Sequence, residues 1–194
     1  ALDAKPHSID FAVQVTHDPL RVFVMGDRAI HEEEASAADI EEMRRLTREA
    51  LEAGAIGFST GRSDVHRSAD GEWTPSSEAT AEELAGIASA MDGIDHGILQ
   101  AVNDFNLERD GDQFDTEFGI LESYAKAANG KPFSLSLMQR DFAPDQWLRI
   151  IARAEDLSEG GLDIRLQVAP RGIGVTVGLQ CTFHPFIGFP SYKK

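Results

Sequence analysis

A single cysteine, Cys181, in 194 residues excludes an intramolecular disulfide and suits a reducing compartment. Nothing nearby supplies the electropositive setting of a reactive thiol, so Cys181 reads as a small buried hydrophobe. No apolar run approaches the roughly 18 residues of a membrane span, and the acid-containing start does not resemble a signal peptide. A cytoplasmic protein is expected. Cationic residues are scarce: 18 Lys and Arg face 33 Asp and Glu, for a net charge of −15. Nucleic acid and anionic membrane surfaces are therefore disfavoured partners, and a solvated acidic surface is expected.

Several catalytic signatures are absent as well. The six histidines, His7, His17, His31, His66, His96 and His184, form no HxH or HExxH pair, so no self-sufficient zinc site is encoded. No GxSxG surrounds Ser59, which excludes a nucleophile elbow. The glycines of segment 172–178 lack the dinucleotide-loop spacing. His31, beside Glu32, Glu33 and Glu34, belongs to a solvated acidic run at a helix start, and His184 reads as a packed aromatic between Phe183 and Pro185.

What is present is a repeated β-then-α unit in a chain with 42% apolar residues, long enough for one sizeable core. Five short apolar runs read as parallel strands: Arg21–Gly26, Ala55–Thr60, Gly97–Val102, Pro132–Leu137 and Asp163–Val168. Helices between them carry their own punctuation. Ser36 with Asp39 opens one that stops at Gly54, with Ile40, Met43, Leu46, Ala50 and Leu51 as its apolar stripe. Thr80 with Glu83 opens a second, buried through Leu84, Ile87, Ala88 and Met91 and stopped by Gly93. Phe114, Phe118, Leu121 and Ala125 mark a third, ending at Asn129-Gly130. Pro144 opens a fourth, which carries Trp147, Ile150, Ile151, Ala154 and Leu157 before Gly160-Gly161.

In such α/β folds the residues just after each strand gather on one face. Ser59, Thr60 and Arg62 follow the second run, Asn103 and Asp104 the third, Gln139 the fourth and Arg171 the fifth; the arginines suit a carboxylate. These seven, with His66 in the long polar connection 61–79, are the candidate substrate-binding residues. Helix capping and turn closure is the competing account of each. The Gly- and Pro-rich tail from Ala169 contains an apolar segment, Phe183–Pro190, that calls for a covering partner.

The stretches Val22–Ala29, Glu41–Leu46 and Arg48–Thr60, and then Gln167–Arg171, Gly178–Gln180 and His184–Phe186, resemble the N-acyl-D-amino-acid deacylases (D-aminoacylases) of the amidohydrolase superfamily. That resemblance spans nearly the whole chain. It implies an α/β fold: a partial TIM barrel of about five parallel β/α units, strands three to seven of an eight-stranded parent, forming one domain over 1–194 truncated at both ends. It also implies a parent in which zinc activates a water to attack an N-acyl amide. The family's HxH on strand one, its cysteine after strand two and its aspartate on strand eight lie outside this chain, and Cys181 is not that cysteine. Two more family ligands are histidines at the ends of strands five and six, where this chain reads Gln100-Ala101-Val102-Asn103-Asp104 and Leu135-Ser136-Leu137-Met138-Gln139. The loop Ser59-Thr60-Gly61-Arg62 carries over as a substrate-side element. The expectations are a zinc hydrolase parent, no complete metal site and no activity in this chain alone, and a small-molecule substrate. The alternative is a non-catalytic module that binds a small carboxylate or self-associates through open sheet edges, giving a homo-oligomer.

Overall fold

The computed structural model describes residues 6–31, 33–63, 66–67, 72–105, 112–140 and 143–172, with positions 174, 176, 178, 179, 186, 189 and 191 of the tail. The elements run β1 (Val15–Thr16), α1 (His17–Met25), α2 (Asp27–Ile30), α3 (Ala37–Glu52), β2 (Gly57–Arg62) and α4 (Ala81–Ala88), which tightens into a 3-10 turn at Ser89–Met91. They continue as β3 (Ile98–Asn103), α5 (Phe114–Ala127), β4 (Phe133–Ser136), α6 (Gln146–Glu159) and β5 (Ile164–Gln167). All five strands are parallel and lie side by side in chain order. Successive crossovers of one hand, always stepping the same way, stack the helices on one face of the sheet. This arrangement is consistent with one side of a β/α barrel, and among the described residues the sheet does not close.

The helix signals act where the sequence places them. Ser36 caps α3 in a reciprocal capping box with Asp39, and Gly54 just beyond the helix takes φ +106°, a conformation that a side chain would strain. Thr80 accepts the Glu83 N–H to cap α4, but Glu83 does not complete a capping box: its carboxylate turns into the protein interior. The helix expected to open at Pro144 begins at Gln146.

One expected strand is a helix. Over Arg21–Gly26 a strand would put Arg21, Phe23 and Met25 on the same face. In α1, instead, His17, Leu20, Arg21 and Met25 form a buried stripe while Phe23 is 77% exposed. Pro19 in the first helical turn fits this, since its missing N–H has no helical acceptor there. The true first strand is the two-residue β1, lengthened on its N-terminal side by Ile56 N–H donating to Val13 O at 2.8 Å.

Strand register sorts the sheet into two chemically opposite faces. One row across it, Val15, Phe58, Leu99, Phe133 and Ile164, is apolar throughout and meets the helices through Met43, Leu84, Ile87, Phe118, Leu121 and Ile150. Tyr124 of α5, fully buried, donates to Phe58 O at 3.1 Å and so ties the helix layer to β2. The next row, on the opposite face, is Thr16, Ser59, Gln100, Ser134 and Arg165, all polar. Of the apolar tail segment, only Phe186 and Phe189 fall among the described residues; both are exposed, with ring centroids 6.1 Å apart.

Candidate functional site

At the C-terminal ends of β1 to β3, a cleft of about 220 Å³ is bounded by Thr16, His17, Asp18, Ser59, Thr60, Gly61, Gln100 and Val102. It lies at the strand-end face, the usual location of the active site in β/α barrels. Its floor is a buried polar cluster. The fully buried His17 ring sits 2.9 Å from Thr60 Oγ1 through Nδ1 and 2.9 Å from Glu83 Oε1 through Nε2. Arg21 Nε donates to the same Glu83 oxygen at 2.8 Å, and its other nitrogens reach Pro75 O at 2.8 Å, Ala29 O at 3.4 Å and Glu33 O. His17 and Arg21, one helical turn apart on α1, thus clamp a carboxylate delivered by α4.

Burial alone pushes Glu83 upward, but the hydrogen bond and charge of His17 and the charge of Arg21 outweigh it, and its carboxyl lies below the ordinary range. The ionised group only accepts, so His17 Nε2 donates to it, while Nδ1 faces the Thr60 hydroxyl. Asp18, which lines the cleft, accepts the Ser76 N–H at 2.7 Å.

The eight residues singled out from sequence divide clearly. Ser59 and Thr60 line the cleft, Ser59 from the open face and Thr60 held from behind by His17. His66 is exposed near the cleft's rim: a Cβ at Gly61 would lie 3.9 Å from its Nδ1. Arg62 and Asn103 are neighbours in register but point toward α5, where Glu117 binds both. Arg62 grips Glu117 at 2.7 and 2.9 Å, and Asn103 Nδ2 donates to it at 2.8 Å. Asp104 is held by Ser63 Oγ at 2.7 Å and by Arg140. Gln139 and Arg171 are exposed, away from the cleft. His17, Arg21, Glu83 and Gln100 were not singled out. The signal for the first two was their four-residue spacing, which has meaning only on a helix and was hidden by reading the segment as a strand.

Zinc does not fit the residues seen. Among the described residues no three His, Cys, Asp or Glu side chains converge. His17 and Glu83 come closest, but both ring nitrogens are engaged and the Arg21 guanidinium already supplies the positive charge. Cys181 and His184 lie outside the described residues.

Comparison with known proteins gives two relatives, both from Alcaligenes xylosoxydans xylosoxydans. The chain is 35% identical over 105 residues to a D-aminoacylase, a match covering 53% of this chain and 18% of the relative. It is 27% identical over 173 residues to an N-acyl-D-glutamate deacylase, covering 88% of this chain and 32% of the relative. The chain therefore spans less than a third of the length of either. No protein-family model and no solved structure matches it. These similarities make the chain a distant relative of part of each of these two proteins.

Proposed function

We propose that the chain forms one flank of the catalytic barrel of an enzyme that hydrolyses the amide bond of N-acyl-D-amino acids, and that it contributes part of the substrate mouth rather than the metal centre. The observation that carries this is the 173-residue similarity to an N-acyl-D-glutamate deacylase. It runs through a sheet whose parallel, in-order strands suit a barrel flank. The cleft lined by His17 and Thr60, with Glu83 buried behind His17, lies where such a barrel receives substrate, with Ser59 and Gln100 as hydrogen-bonding groups facing it. His66 is assigned to the outer mouth, and Arg62, Asn103 and Asp104 hold the strand ends that shape it. Any zinc that activates the attacking water is held in the parent by residues other than those described here.

On this reading the 194-residue chain supplied with zinc and N-acetyl-D-glutamate releases no free amine, whereas the natural gene product that carries it does. Turnover by the chain alone, or none by the gene product, would sink the reading. A second reading, self-association, is favoured by one feature. Beside β5 a groove is lined by Ile151, Ala154, Ile164 and Leu166, and among the described residues no strand pairs with the outer edge of β5. Light scattering that finds a monodisperse monomer excludes it.

A further inference from the structure

The polar row Thr16, Ser59, Gln100, Ser134 and Arg165 crosses all five strands without an apolar interruption. β/α-barrel interiors are ordinarily filled by bulky aliphatic side chains, and strands buried on both faces read as continuous apolar runs. This sheet alternates instead: on β4, Phe133 and Leu135 face the helices while Ser134 between them faces the other way.

Ser134 is 3% exposed, and its Oγ is buried without a hydrogen-bond partner. A buried hydroxyl left unpaired is costly, and the natural remedy on a polar face is a bound group. Its neighbours in the row are Gln100 on one side and Arg165 on the other. Arg165 is the cation of the row, and its side chain is 72% exposed. It is paired on its own strand side with Asp163, Nε to Oδ1 at 2.7 Å and Nη2 to Oδ2 at 3.3 Å, an exposed contact that a competing carboxylate can displace at little cost.

Adjacent strands lie about 4.8 Å apart, so Arg165, Ser134 and Gln100 offer a cation, a hydroxyl and an amide at successive steps of that length. An N-acyl amino acid carries its carboxylate and its secondary amide on either side of one carbon, close enough for side chains of adjacent strands to engage both. We propose that this row is a ligand-binding strip on the face of the sheet opposite the helices. Arg165 takes the carboxylate of an N-acyl amino acid, and Ser134 with Gln100 takes its amide. The ligand class rests on the deacylase reading above; the strip itself rests on the register, the unpaired Ser134 hydroxyl and the polarity of the row.

Calorimetric titration of the 194-residue chain with N-acetyl-D-leucine, and with its uncharged carboxamide, tests the strip. The acid is expected to bind more tightly than the carboxamide. Arg165→Met weakens the acid about tenfold and removes that preference, the size expected for one charge-assisted hydrogen bond. Ser134→Ala weakens both probes while leaving the thermal midpoint unchanged or higher, because the deleted hydroxyl has no partner to lose. Lys126→Ala, on the outer surface of α5, is the control. Absence of binding at millimolar acid, or equal affinities for acid and carboxamide, overturns the strip. If the natural gene product deacylates N-acyl amino acids with kcat/KM untouched by Arg165→Met, the strip fails while the proposed function stands. Binding to the strip without turnover by the gene product does the reverse.

Discussion

Replacing Glu83 with alanine removes the carboxylate that α1 and α4 share beneath the cleft. The three side chains are buried: His17 and Glu83 are fully covered and Arg21 is 3% exposed. The substitution deletes one hydrogen bond from His17 and one charge-assisted hydrogen bond from Arg21, and it strands a guanidinium in the interior. Breaking a buried pair from one side typically costs about 3–5 kcal/mol. Here Arg21 keeps its carbonyl partners at Ala29, Pro75 and Glu33, which places the expected loss toward the lower end of that range. The α4 cap is unaffected, because Thr80 Oγ1 accepts the backbone N–H of residue 83 rather than its side chain. Urea unfolding followed by the fluorescence of Trp73 and Trp147 measures the change. The double substitution Arg21→Met, Glu83→Met should cost less than the two single changes added together, since no buried charge is then left unpaired. A Glu83→Ala loss below about 1 kcal/mol, the size of an ordinary point substitution, would refute the claim that this cluster fastens α1 to the domain.

The same carboxylate predicts an acid response. A group whose folded pKa lies below its unfolded value, about 4.3 for glutamate, stabilises fully above that value and loses the contribution as pH falls through the folded pKa. Wild-type stability should therefore drop more steeply below about pH 4 than that of Glu83→Gln, as read by urea midpoints; equal slopes would contradict the assignment. Ser36→Ala removes the hydroxyl that accepts the Asp39 N–H at 3.2 Å and donates to its carboxylate, and should cost about 1 kcal/mol in the same assay. Gly57→Ala should prevent folding to the native circular-dichroism spectrum, because a Cβ there would lie 2.0 Å from the Ile98 carbonyl oxygen of the neighbouring strand. A native-like spectrum with an unchanged midpoint would show that β2 and β3 can separate locally.

Four of the five strands and all the long helices after α2 were legible because their signals are local. Ser36, Thr80, Gly54, Gly93 and Gly161 act within one turn of where they stand. The first β/α unit was not, because Val22-Phe23-Val24 has strand-like composition while its conformation is set from afar, by Glu83 and by the carbonyl groups that hold Arg21. The candidate site was half legible. Phe58 and Leu99 are the apolar anchors of β2 and β3, so period-two alternation sends Thr60, Arg62, Ala101 and Asn103 to the helix side and Ser59, Gln100 and Val102 to the open side. That phase is present in the sequence and turns Arg62 and Asn103 away from the open face, whereas Thr60, on the same phase, still lines the cleft. The pairing of Arg62 with Glu117 was not available, since it joins residues 55 positions apart.

The proposed parent of this segment deacylates N-acyl-D-amino acids. The direct measurement is amine released by the natural gene product from matched N-acetyl-D- and N-acetyl-L-amino acids, with the 194-residue chain alone alongside. Release from the D-enantiomers by the gene product, with none by the isolated chain, is the expected result. Failure of the gene product to cleave any N-acyl amino acid, or cleavage of the L-enantiomers only, would contradict it.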